Sequence, residues 1–175
     1  SGPAAARNFG RTAARGEFLI FTDDDCRPAP DWLAKMVDVL QRNPQAAVAG
    51  VTHNAFLQNP YSVISQHITD FVSIKSGTNL QFATTNNLGV PTHLFDQING
   101  FDASFPLAAA EDRDFCRRFI ENGWPIIRNP NALVYHYHAL SPRTFLKQQF
   151  QYGRGAFLLW RKYNNKNSID SPLSS

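Results

Sequence analysis

The most constraining stretch of this chain reads Phe18-Leu19-Ile20-Phe21-Thr22-Asp23-Asp24-Asp25-Cys26. Four consecutive apolar residues, set between Gly16 and a polar cluster, fit a short strand buried on both faces. Three carboxylates where such a strand meets a loop repel one another unless a cation neutralises them. Oxygen ligands of this kind suit Mg²⁺ or Mn²⁺, and an ion held by one or two carboxylates keeps positions for phosphate oxygens. A competing reading makes these aspartates turn and cap residues, because Pro28, Pro30 and Asp31 read as a helix entry with Asp31 as the cap.

Around this stretch the pattern alternates helix with strand. Pro3 to Arg15 is rich in Ala and Arg, with an early Pro and Gly16 as a stop, and predicts a helix with Gly10 inside it. Trp32, Leu33, Met36, Val37 and Leu40 recur at helical spacing up to Asn43-Pro44, and Ala46 to Val51 predicts a strand. Pro60 to Ile74 predicts a helix, Phe82 to Val90 a mixed strand carrying Asn86 and Asn87, and Pro91 to Asn99 a short helix. Phe101 to Ala110 reads as a loop, and Glu111 starts an amphipathic helix that stops at Asn122-Gly123. Pro125 to Arg128 and Ala132 to His138 predict two separate strands, and Ser141-Pro142 opens a last long helix. The rhythm predicts an α/β domain with a mostly parallel sheet flanked by helices.

At 175 residues, 43% of them hydrophobic and 13% aromatic, the chain can bury the core of one domain. We expect that domain over 1–163 and a polar, disordered tail over 164–175. A net charge of +3 fits an anionic ligand and falls short of a nucleic-acid-binding surface. Cys26 and Cys116 have neither disulfide-framework nor metal-ligand spacing, and no signal peptide or bilayer-spanning run is present, so the expectation is a reducing, cytoplasmic location.

Several further residues bear chemistry. Glu111 and Asp112 open a predicted helix, where acids complement the helix dipole; facing a cleft, the same carboxylate can take a proton from an attacking hydroxyl. His136 and His138 lie two apart on a predicted strand and so share a face, from which a nitrogen can join a metal held by Asp oxygens. Arg7 is read either as a phosphate contact or as a surface arginine. Gly153 and Gly155 flank Arg154 inside a helix, which points to close packing or a phosphate contact. The last helix carries Phe145, Leu146, Phe150, Phe157, Leu158 and Trp160 beside Arg143, Lys147, Arg154, Arg161 and Lys162. It either packs on the sheet or lies on a membrane surface as a peripheral anchor.

These pieces in this order resemble a family 2 glycosyltransferase of the GT-A fold. The resemblance rests on Ala6-Arg7-Asn8-Phe9-Gly10, Phe21-Thr22-Asp23-Asp24-Asp25-Cys26, Pro30-Asp31-Trp32-Leu33, Asn87-Leu88-Gly89-Val90, Gly100-Phe101-Asp102, Glu111-Asp112-Arg113-Asp114 and Val134-Tyr135-His136. It implies inverting transfer of a sugar from a nucleotide-diphosphate donor to a glycan, lipid-linked or small-molecule hydroxyl acceptor, with Mn²⁺ or Mg²⁺ as cofactor. Asp23 and Asp25 look like the outer members of the family's DxD motif, with Asp25 on the metal and Asp23 on the donor's ribose or in the metal site. Asp24, Arg7 and Arg154 join the donor-binding set. Asp112 is similar to the catalytic base with Glu111 beside it, and His136 matches a position that completes the metal shell. The first strands usual in the family do not precede Ser1, so the resemblance implies an N-terminally truncated domain with an exposed sheet edge open to pairing with a second copy. No Gln-x-x-Arg-Trp sequence of processive members is present, which implies single-sugar transfer. The competing class is a non-catalytic nucleotide- or glycan-binding domain derived from this fold.

Overall fold

The computed structural model describes residues 2–73, 80–105 and 109–169, with side chains up to Asn164. Six helices flank one sheet: α1 (Pro3–Ala13), α2 (Trp32–Arg42), α3 (Pro60–Ser73), α4 (Thr92–Gln97), α5 (Glu111–Glu121) and α6 (Pro142–Ile169). The strands are β1 (Phe18–Phe21), β2 (Cys26–Pro28), β3 (Ala47–Asn54), β4 (Leu88–Pro91) and β5 (Ile126–His136), in the order β1-β4-β3-β5-β2.

The expectation of a mostly parallel sheet needs correcting. Among the described residues only β3 and β5 run parallel; β1 with β4, β3 with β4, and β2 with β5 are antiparallel. A helix–strand rhythm does not set strand direction, which depends on the sheet end at which each connection enters. Here a 3-10 turn at Thr85–Asn87 delivers β4 antiparallel to both of its neighbours, and β2 is three residues of loop turned back on β5.

β1 and β2 occupy opposite ends of that order, yet only Thr22 to Asp25 separates them in sequence. A flat five-stranded sheet would hold its outer strands roughly 19 Å apart. The five Cα-to-Cα steps from Phe21 to Cys26 reach at most about 18 Å when fully extended, and they include a tight turn in which Cys26 N–H donates to the Asp23 carbonyl at 3.1 Å. The sheet therefore curls into a half-barrel, and the aspartates lie along the short path between its edges.

Side-chain alternation gives the curled sheet two cores. Val48 and Val134 turn toward α2, where Trp32, Met36 and Leu40 lie one turn apart on its buried face. Ala47, Ala49, Leu19, Leu88 and Val90 turn the other way, toward Phe95, Phe101, Phe115 and Phe119. The Phe101 and Phe115 rings sit 4.7 Å apart, and removing either fully buried ring would cost about 3–5 kcal/mol. β1 is less enclosed than predicted, since Leu19 alone of its four residues is buried and the strand lies at the end of the described sheet.

The two strands predicted over 125–138 form one strand with an irregularity in its middle. Ala49 pairs with Arg128 but Val51 pairs with Leu133, so Asn129 to Ala132 bulge out of the ladder. Asn87 mends the break: its amide donates to the Val51 and Ala132 carbonyls at 3.0 Å, and its oxygen accepts the Trp32 indole N–H at 2.8 Å. A fully buried amide is tolerable only when its polar atoms are matched in this way. Gly50 makes the space, because a Cβ there would stand 2.3 Å from both the Asn87 side chain and the Ala132 carbonyl.

Asp31 does sit at the helix start, but its carboxylate pairs with Lys35 at 2.6 Å and makes no cap bond. α6 runs on to Ile169, past the Asn164 at which the tail was expected to begin, and residues 170–175 lie outside the described set.

Candidate functional site

The β2–β5 ladder builds one end of a cavity. Cys26 pairs with His136, and the Tyr137 N–H donates to the Asp25 carbonyl at 2.8 Å, so Asp25 is pinned beside the end of β5. His136 Nε2 and His138 Nδ1 then approach the same carboxylate oxygen of Asp25, at 3.2 and 3.1 Å. All three potential ligand atoms lie within 4.8 Å of one another. Burial by itself raises the Asp25 pKa, but hydrogen bonds and charge from the two imidazoles outweigh it and hold the carboxyl below its ordinary value. One carboxylate and two imidazoles converging on one point fit a divalent cation.

The other end is the start of α5. Glu111 is buried, and its Oε1 accepts from Arg7 Nη1 at 2.8 Å. Its second oxygen, Oε2, is buried without a hydrogen-bond partner among the described residues. Ala110, just ahead of it, has φ of +90°, a left-handed conformation costly for a residue with a Cβ. Asp112 follows, its Oδ1 accepting the Arg113 N–H at 2.8 Å. The residue keeps an exposed edge, yet burial of its carboxyl, helped by the negative charge of Glu111, pushes its pKa up to about 7. The Arg113 N–H bond and the charges of Arg113 and Arg7 pull the other way without prevailing. A carboxyl balanced near neutrality is suited to proton transfer.

Arg7 joins the two ends. Its Nη2 lies 3.2 Å from Asp23 Oδ1 while Nη1 holds Glu111, and its guanidinium sits over the Phe101 ring at 5.6 Å. Arg7, Asp23, Glu111, Asp112, His136 and His138 all line one cavity of about 230 Å³ between the sheet, α3 and α6. Asp25 does not line it directly and meets it through His136 and His138, whereas Asp24, exposed in the turn, and Arg154, exposed on α6, have no such link to it. Gly155 rather than Arg154 explains the Gly-Arg-Gly sequence: a Cβ at Gly155 would come within 2.4 Å of the Ala109 carbonyl, so the glycine permits close packing of α6 on the segment leading to Glu111.

Other lining residues had no signal in the sequence. Asn86 accepts from Thr52 and Thr84 hydroxyls at 3.1 and 2.7 Å, and α6 contributes Gln148 and Tyr152. Burial, then the charges of Asp112, Glu111 and Asp23, push the Tyr152 phenol up to about 12. Asp114 serves structure instead: fully buried, it accepts from Arg118 Nε at 2.7 Å, from Lys162 and from the Tyr163 hydroxyl at 2.9 Å. Lys162 also donates to Asp102 at 2.7 Å. Burial raises the Asp102 pKa, but Lys162 and Ser104 overcome this and hold it down at about 2. This network ties α6 to α5 and so fixes the cavity wall.

Known proteins share this fold. A glycosyltransferase structure from Pyrobaculum calidifontis, described as the mannosyltransferase PcManGT with GDP-Man and Mn²⁺, superposes with a TM-score of 0.63 at 20% identity, covering 86% of this chain and 40% of that one. GalNAc-T7 with UDP, GalNAc and Mn²⁺ superposes with a TM-score of 0.61 at 14% identity, over 80% of this chain and 31% of that one. These likenesses establish the GT-A fold. In sequence, the pre-mycofactocin glycosyltransferase of Mycobacterium tuberculosis is 25% identical over 184 residues, taking in 95% of this chain and 37% of its own length. The dolichyl N-acetyl-alpha-D-glucosaminyl phosphate 3-beta-D-2,3-diacetamido-2,3-dideoxy-beta-D-glucuronosyltransferase of Methanococcus voltae is 25% identical over 169 residues, taking in 90% of this chain and 52% of its own length. The chain thus spans between 37% and 52% of the length of these two relatives. The profile of Glycosyl transferase family 2 matches residues 1–99, more than half of the sequence, and the chain belongs to that family.

Proposed function

We propose that this cavity transfers one sugar, with inversion, from a nucleotide-diphosphate sugar to a hydroxyl acceptor, and that the reaction depends on a divalent metal. The observation that carries the proposal is the presence, along one cavity, of the His136–His138 pair on Asp25 and of an Asp112 carboxyl raised to about 7. Asp112 accepts the proton of the acceptor hydroxyl as its oxygen forms the bond to the anomeric carbon. The bond from that carbon to the diphosphate oxygen breaks in the same displacement, which inverts the centre. Asp25, His136 and His138 hold the metal, whose charge offsets that of the departing diphosphate. Two imidazoles in the set favour Mn²⁺ over Mg²⁺, which prefers oxygen ligands and gives up water reluctantly. Asp23, kept in place by Arg7, faces the donor, and Glu111 shapes the acceptor side. Asp24 and Arg154 have no part in the proposal.

Calorimetric titration of UDP, GDP and TDP into the chain, with Mn²⁺, with Mg²⁺ and with neither, tests the donor site. Binding that requires Mn²⁺ and is lost in Asp25→Asn supports it. Metal-independent binding untouched by that substitution defeats the metal assignment. Tight binding with no release of nucleoside diphosphate from any UDP- or GDP-sugar would favour a binding domain over an enzyme.

A further inference from the structure

We infer that the outward face of α6 docks on an anionic membrane surface. The inner face is committed to the protein: the Phe145 ring lies 5.8 Å from Tyr61, Gln148 accepts from Ser65 at 2.8 Å, Gly155 packs on Ala109, and Tyr163 bonds Asp114. On the opposite side Leu146, Phe150, Phe157 and Trp160 are 67%, 74%, 57% and 59% exposed. Their spacing of four, seven and three residues aligns them in one stripe, with Gly153 between them in open space. Four exposed aliphatic and aromatic side chains in a row are more than scattered surface hydrophobes.

The charge beside that stripe identifies the occupant. Arg143, Lys147, Arg154 and Arg161, all exposed, follow at four, seven and seven residues and form a second stripe along the first. From Pro142 to Ile169 the sequence has Arg143, Lys147, Arg154, Arg161, Lys162 and Lys166, and no Asp or Glu. A covering protein segment would match the apolar stripe but leave the cations without a reason. At a bilayer interface the aromatic rings enter the headgroup layer while the cations meet lipid phosphates. The helix lies on the bilayer and does not cross it, since no helix among the described residues is long and apolar enough. Because the inner face of α6 lines the cavity through Gln148 and Tyr152, docking sets the cavity beside the lipid. Resting on the proposed function, this favours a lipid-carried acceptor; the docking itself is independent of turnover.

The test is co-sedimentation of the chain with vesicles of phosphatidylcholine alone and of an equal mixture with phosphatidylglycerol. It is run at low and high salt, beside Phe150→Ser with Trp160→Ser and Lys147→Glu with Arg161→Glu. We expect pelleting with the anionic vesicles that weakens in salt, and about a tenfold lower partition for each double variant. Circular dichroism and thermal unfolding, unchanged by substitutions at exposed positions, keep misfolding apart from lost docking. Failure of the folded chain to pellet, or equal pelleting by both variants, overturns the inference. A dimer in solution that Phe150→Ser with Trp160→Ser dissolves also overturns it, by making the occupant a second copy.

Discussion

The two ends of the cavity are built in opposite ways. The Asp25 end rests on a paired ladder, its carboxyl matched by two imidazoles and its pKa held down. The Asp112 end rests on a helix start entered through a left-handed alanine, with one buried carboxylate oxygen unmatched among the described residues and a neighbouring pKa pushed up to about 7. The first end stabilises the fold as it stands, whereas the second is held in place at a cost. In the proposed reaction the strained, mismatched end is the one whose group changes its protonation, and the ordered end is the one that would hold an ion.

The largest effect that would separate the ends is the loss of Asp112. Asp112→Asn should lower the transfer rate about a thousandfold while nucleotide affinity stays within a few-fold, as measured by steady-state kinetics and calorimetry. It should also strengthen the fold. A carboxyl raised from 3.8 to about 7 binds its proton more tightly folded than unfolded, so stability falls as pH rises through that window. Asparagine removes the penalty, and urea unfolding at pH 8 should show a gain of up to about 4 kcal/mol that vanishes below pH 3.8. A variant both inactive and less stable would break the contrast.

The Asp25 end should respond with the other sign. Its lowered pKa contributes stability that is present above the ordinary carboxylate value and lost as pH falls through the folded one. Gly50→Ala, which thrusts a Cβ against Asn87 and the Ala132 carbonyl, should disturb the ladder that carries His136 and cost about 3 kcal/mol. Mn²⁺ at a hundred times its dissociation constant should raise the stability of the parent by about 2.7 kcal/mol. Calorimetric scans of Asp25→Asn and His138→Gln should lack most of that rise.

Much of this was legible in the residues, and the misses have physical causes. The run from Phe18 to Phe21, the periodicity of Trp32, Met36 and Leu40, and the acids opening α5 are local patterns, and each formed the predicted element. The strand directions and the bulge after Arg128 depend on where loops re-enter the sheet and on a single buried amide, Asn87, 45 residues from its acceptor Ala132 in sequence. The same-face reading of His136 and His138 carried over, although His138 lies beyond the end of β5, because the antiparallel β2 brings Asp25 to both. Tyr152 and Gln148 were hidden because a helix presenting apolar and polar residues all round does not announce which side closes a cavity.

Arg7 sets the finest test, since among the described residues it alone bonds to a carboxylate at each end. Its charge lowers the Asp112 pKa, whereas that of Glu111 raises it. Arg7→Met should therefore carry the Asp112 pKa above 7, shift the rise of the pH–rate profile to higher pH and lower the rate at pH 7 about threefold. Glu111→Gln should shift the same profile to lower pH. Arg7→Met should also loosen Asp23, which is read separately as a weaker nucleotide affinity. If the profile moves with Arg7→Met but the affinity does not, the guanidinium serves the base end alone and the two ends are independent; if both move, one residue sets the donor's position and the base's readiness together.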